Sequence, residues 1–144
     1  LILAGGSVTS GTAGVVATRA TVTMGSQATP TAKTVAATLT AAEILAGIIT
    51  ANQGGGAAAN YTLPTATNFE AAFPLTLANN DSFDFFVVNI STVAAEDITI
   101  VTNTGWTLVG SMVIAANSGA TEISSAHFRA RRTAANTFTL YRLS

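Results

Sequence analysis

Eight residues, Phe83 to Ile90 (FDFFVVNI), constrain the fold more than any other stretch of this chain. Side chains alternate across a strand, so Phe83, Phe85 and Val87 point one way and Phe86, Val88 and Ile90 the other. Only Asp84 and Asn89 interrupt the apolar run. A strand apolar on both sides belongs in the middle of a sheet, with one face on a core and the other under a cover. That cover is either a pair of short helices from the same chain or a neighbouring chain.

The remaining sequence supplies more strands of the same kind. From Asp81 onward, short segments rich in Val, Ile, Thr and aromatics recur every 8–12 residues, separated by turns such as NTG, ANSG and TAAN. That rhythm predicts an all-β fold, an antiparallel β-sandwich or barrel of jelly-roll type, rather than βαβ units. No period of 20–50 residues repeats, so a solenoid is not expected.

Two short helices interrupt the strands. Thr40 and Glu43 have capping-box spacing, predicting a helix through Ile44 and Leu45 that Gly47 ends, with Ile48 and Ile49 returning to strand. Before it, residues 33–40 (KTVAATLT) alternate as one strand. A second helix follows the Pro64 corner, with Thr67 or Asn68 as its cap and Phe69 and Phe73 one turn apart on one face. Residues 1–32 are rich in Gly, Ser, Thr and Ala, with a strand-like run at 15–24; they read as an extended arm onto a neighbour, leaving 33–144 as the domain.

Charge narrows the function. Only 9% of the 144 residues are charged, against about a quarter in an average soluble protein. A neutral, fine-grained surface does little to keep copies apart, so stable assembly is expected. A net charge of −1 gives no electrostatic basis for nucleic-acid binding. The longest apolar run, 44–49, falls far short of the roughly 18 residues of a membrane span. The opening LILAGGSVTS lacks the basic start and cleavage site of a signal peptide.

Catalytic constellations are hard to assemble from one histidine and no cysteine, so neither an enzyme nor a cofactor or metal site is expected. The three glycines at 54–56 lack the GK[ST] continuation of a phosphate loop and read as a plain loop. Asp81, Asp84, Glu96 and Asp97 read as turn and edge charges rather than a glycosidase pair. Alternation through 127–132 (HFRARR) puts His127, Arg129 and Arg131 on one strand face and Phe128 and Ala130 on the other. In so neutral a chain these arginines are expected to meet carboxylates (Asp84, Glu96, Asp97 or Glu122), within the chain or across subunits. Trp106, after NTG, reads as a core or trimer-axis anchor rather than a sugar platform.

The order of KTVAATLTAAEILAGIIT, YTLPTATNFEAAF, DSFDFFVVNIS, DITIVTNTGWTLVGS and FRARRTAANTFTLYRL resembles a group of small virion proteins and terminal domains of tailed double-stranded-DNA phages, aquatic and cyanobacterial ones in particular. The resemblance covers about residues 33–144 and departs at Asn79–Asp81, where the family carries a glycine-containing turn. It implies a capsid-decorating (cement) or head-fibre protein on the virion surface, often trimeric, with a β-barrel or jelly-roll-like body. It brings no catalytic residues. The expected partners are thus further copies in a homotrimer and a capsid protein. Phe83, Phe85 and Phe86 would be divided between core and subunit interface, with Trp106, Arg129 and Arg131 also at the interface. The competing expectations are a host-binding fibre module with weak glycan contact, and an ice-binding protein with Thr-rich strands.

Overall fold

Parallel strands cannot be joined by a tight turn; the chain must cross over something before it returns. In this protein the crossing is made through a second sheet. The computed structural model describes residues 26–144. Ten strands run in chain order: β1 (Thr31–Lys33), β2 (Ala37–Thr38), β3 (Ile48–Ala51), β4 (Ala59–Thr62), β5 (Ser82–Asn89), β6 (Ile98–Val101), β7 (Trp106–Val109), β8 (Val113–Ile114), β9 (Ser125–Ala134) and β10 (Thr137–Arg142). Helix α1 (Ala41–Leu45) lies between β2 and β3, and α2 (Ala66–Ala71) between β4 and β5.

One sheet has six strands in the order β1-β3-β5-β9-β10-β7; the other has four, β2-β4-β6-β8. Every connection from β1 to β9 therefore changes sheet, and only β9 to β10 is a hairpin within one. Odd-numbered β1, β3 and β5 stack in parallel in the first sheet, even-numbered β2, β4 and β6 in parallel in the second. The expected antiparallel arrangement is thus corrected: the sheets are mixed, with antiparallel pairing confined to β5–β9, β9–β10 and β6–β8. The chain winds like a coil although its sequence does not repeat, because the connections differ in length and content. A hydrophobic strand signal carries no information about the direction of its neighbour, which is why the pairing sense was not legible.

Winding also corrects a local reading. Residues 33–40 do not form one strand: β1 ends at Lys33 in the six-stranded sheet and β2 begins at Ala37 in the other. Val35, on the crossing, is left exposed. β1 itself starts at Thr31, two residues before the expected domain boundary. The strand-like run at 15–24 lies outside the described residues.

Both sheets feed one core. Ile49, Phe85, Val87, Phe128 and Leu140 of the larger sheet share it with Tyr61, Ile98, Ile100 and Ile114 of the smaller. β5 sits inside its sheet between β3 and β9, as its two apolar faces require.

The helices close the end opposite the β3–β4 and β5–β6 loops. α1 has the full capping box: Thr40 Oγ1 accepts from Glu43 N–H at 3.2 Å while Glu43 Oε2 accepts from Thr40 N–H at 2.8 Å. Its other carboxylate oxygen meets Lys33 Nζ at 2.5 Å, tying the helix to β1. The cap of α2 is Thr65, whose hydroxyl accepts from Asn68 N–H, not the expected Thr67 or Asn68. The earlier start turns Phe69 fully inward, where its ring lies 5.2 Å from Phe73, 5.1 Å from Trp106 and 5.2 Å from Phe138.

Gly105 lets this aromatic cluster form. It turns the chain into Trp106 at φ +85, with the Ala66 side chain and the Asn136 carbonyl each 2.5 Å from where a Cβ would lie. Gly105→Ala combines a left-handed backbone with two overlaps. It should lower the urea midpoint by the equivalent of about 2 kcal/mol or more, with the slope of the transition unchanged; an unshifted midpoint would show that the turn relaxes freely.

Candidate functional site

Two groups of polar residues stand out, one on the surface and one buried. The surface group lies on the outer face of the six-stranded sheet, the side away from the core. Strand register arranges it in rows. Ile48, Phe86 and His127 stand side by side on β3, β5 and β9, and Leu143 N–H extends the row by donating to the His127 carbonyl at 2.8 Å. The next row is Asp84, Arg129, Tyr141 and Val109; the next, Ser82, Arg131, Thr139 and Thr107. The face thus grades from apolar to basic and polar within three rows.

Within it, Asp84 is fully engaged. Arg129 donates through Nε and Nη2, both at 2.7 Å, and His127 Nε2 lies 3.0 Å from the same carboxylate. The Arg129 guanidinium, then His127, hold the Asp84 carboxyl below its ordinary range against the opposing effect of partial burial. The Phe86 ring stacks on His127 at 4.4 Å and 16°. Arg131 donates to Asn80 Oδ1 at 2.8 Å and to the Tyr141 hydroxyl at 3.1 Å. These pairs are part-exposed, and such pairs add little stability; their effect is to fix the donors in position.

The sequence-predicted residues therefore separate. Phe86, Arg129 and Arg131 come together on the outer face with His127, as alternation requires. Phe85 is fully buried, stacked on Phe128 at 5.3 Å. Phe83 packs against the core beside Phe73. Trp106 is buried too, its Nε1 donating to the Pro64 carbonyl at 2.8 Å. Phe85 and Trp106 are thus enclosed within the single chain, and Phe83 lies half-buried at the margin of its core. For these three, the aromatic character served the core.

The buried group went unread in the sequence. Glu96 has no exposed surface, and its carboxylate accepts from Ser91 Oγ at 2.5 Å, Gly56 N–H at 2.6 Å and Gly54 N–H at 3.1 Å. The 54–56 loop does cradle an anion, but the anion belongs to the protein. Gly54 and Gly56 sit at φ +61 and +74, a conformation that turns successive N–H groups toward one point. Asn89, on the core face of β5, completes the network: its Nδ2 donates to the carbonyls of Glu96 (2.8 Å) and Ile114 (3.3 Å), and its Oδ1 accepts from Ser91 N–H. One signal was available. Asn89 shares strand parity with Phe85 and Val87, and a polar side chain at a core position must have partners.

Nearby, Tyr61 reaches the Lys33 carbonyl and accepts from Gln53 Nε2 at 2.6 Å; burial pushes its phenol up to about 12. Of the carboxylates expected to meet arginine, only Asp84 does so among the described residues. Arg132 instead pairs with Glu70 of α2 at 2.9 Å, a partner the alternation argument did not reach. Among the described residues no group of three or more His, Cys, Asp or Glu is placed to hold a metal ion. Comparison with protein-family models, with curated proteins and with solved structures finds no match to this chain.

The Ser91 hydroxyl, followed by the Gly56 amide, holds the Glu96 carboxyl below its ordinary value of 4.5. A depressed folded-state pKa contributes stability above the unfolded value that is lost as pH falls through the folded one. The denaturation midpoint should therefore fall as pH drops below about 4.5. Glu96→Gln should be less stable at pH 7 and show a shallower acid slope, part of the slope persisting through Asp84 and Glu70, whose carboxyls are also held low by arginines. An unchanged slope in chemical denaturation across pH 3–7 would place the acid sensitivity elsewhere.

Proposed function

We propose that this chain is a structural protein of a phage virion, a capsid-decorating or head-fibre protein that assembles as a homotrimer and stabilises the shell by bridging its subunits. The observation that carries the reading is the outer face of the six-stranded sheet. Phe86 remains 43% exposed in the middle of a sheet, in a band that includes Val109 (44%) and Leu143 (48%). Full burial of such a side chain is worth about 1.5–3 kcal/mol relative to exposure, and neither short helix covers this face: α1 contacts β3 and α2 contacts β10 while their buried residues point into the core.

Internal use of charge supports the same reading. Lys33, Glu43, Glu70, Asp84, Arg129 and Arg132 all pair within the chain, and Glu96 is enclosed. What the described surface offers a partner is mostly apolar and hydroxyl-bearing, a fit for repeated, closely packed copies whose weak contacts are multiplied by valency. We read the two sheets around one core as a sandwich wound by sheet-to-sheet crossings, and residues 1–32 as the arm that reaches the capsid or the next copy.

The test uses the full chain and a version lacking residues 1–25, which leaves β1 intact. Both should sediment as trimers, and only the full chain should bind undecorated capsids and raise their heat resistance. A monomer that leaves capsid stability unchanged overturns the proposal.

A further inference from the structure

The outer face of the six-stranded sheet is left uncovered by the described residues, with Phe86 and Leu143 exposed on it. We infer that it is covered by a second copy, whose loop at 117–124 docks on it head to tail. The inference rests on the assembly reading above and names the contact that would build it.

The face offers guanidinium donors, hydroxyls and apolar surface, with no free carboxylate in its rows. Asp84, the carboxylate in its rows, is already taken by Arg129 Nε and Nη2 and by His127. Arg129 keeps Nη1 without a hydrogen bond among the described residues, and half its side chain is exposed. In the adjacent row, flanking His127, lie Phe86 and Leu143. The complementary surface is therefore a carboxylate next to an exposed aliphatic side chain.

The loop between β8 and β9 has that composition. Ile123 is 65% exposed, and it follows Glu122. Glu122 is held in a defined place, accepting from Ser118 N–H at 3.2 Å and Ser118 Oγ at 2.6 Å, while remaining exposed. The loop is anchored where β5 ends: Asn89 N–H donates to the Ser124 carbonyl at 2.7 Å. It thus stands at the end of the sheet where β5 leaves it, six residues along β9 from Arg129, about 20 Å, and cannot reach that arginine in its own copy.

Charge also decides the symmetry. Two such faces pressed together would bring two sets of Arg129 and Arg131 into one contact that adds no free carboxylate, an unfavourable arrangement. A loop-to-face contact repeated head to tail is heterologous, and heterologous contacts close into rings when the rotation allows. Three copies give the trimer.

Sedimentation of the full chain reads the contact directly. Ile123→Asp changes an exposed loop residue and should leave the melting temperature in place while reducing the solution mass from three times the 14.5 kDa chain to one. Glu122→Arg should raise the concentration of half-dissociation by about tenfold or more, through like charges at the contact. Adding Arg129→Glu to Glu122→Arg should reverse much of that loss. Because the chain has no cysteine, Phe86→Cys combined with Ile123→Cys should yield disulfide-linked trimers on mild oxidation. If Ile123→Asp stays trimeric and the cysteine pair does not crosslink, the inference is overturned. Capsid binding by that same trimer would then leave the decoration reading intact, whereas a wild-type monomer that ignores capsids overturns both.

Discussion

A chain that changes sheet at every connection from β1 to β9 must satisfy the backbone of each crossing without a ladder. This requirement governs the end of the molecule where β3 and β5 leave the larger sheet. There the glycine loop after β3 and the 90–97 loop after β5 run side by side, and past Asn52 and Ile90, whose N–H groups still donate to the Lys33 and Ala51 carbonyls, the ladder stops. Glu96 supplies acceptors to both: one carboxylate takes Gly54, Gly56 and the Ser91 hydroxyl. Asn89 then links this point to β8 through the Ile114 carbonyl. A buried, unpaired carboxylate is costly; one with three donors is a fixed point. Both sheets are held at that fixed point, which makes Glu96 structural despite having the chemistry of a catalytic acid.

The opposite end solves the same problem with helices. Thr40 and Thr65 cap α1 and α2, and Lys33–Glu43 and Arg132–Glu70 tie each helix to a strand. With both ends closed and β5 held in the sheet, the one large apolar aromatic on the outer face among the described residues is Phe86, stacked on His127. The exposed face is thus a consequence of the winding: the smaller sheet covers one side of β5, and no described segment passes over the other.

Legibility followed the range of the interaction. The α1 capping box, the alternation through His127–Arg131 and the central place of β5 depend on residues within a few positions of one another, and all were readable. The helix α2 cap was displaced to Thr65 because the inward packing of Phe69, between Trp106 and Phe138, set where the helix begins. Residues 33–40 broke into two strands because the crossing between sheets falls in their middle. Glu96 looked like a turn charge because its partners, Gly54 and Gly56, lie about forty positions away in sequence.

By itself, then, the sequence determined that this is a strand-rich chain with two short capped helices, a doubly apolar central strand and a basic row beside it. Those features arise from side-chain alternation, local capping and hydrophobic burial, which act along the chain. Only the tertiary structure decided that the sheets are mixed, that Phe85 and Trp106 serve the core while Phe86 faces outward, and that three glycines enclose the protein's own carboxylate. Each of those depends on which distant segment lies alongside, and alternation within one strand is the same whether its neighbour runs parallel or antiparallel.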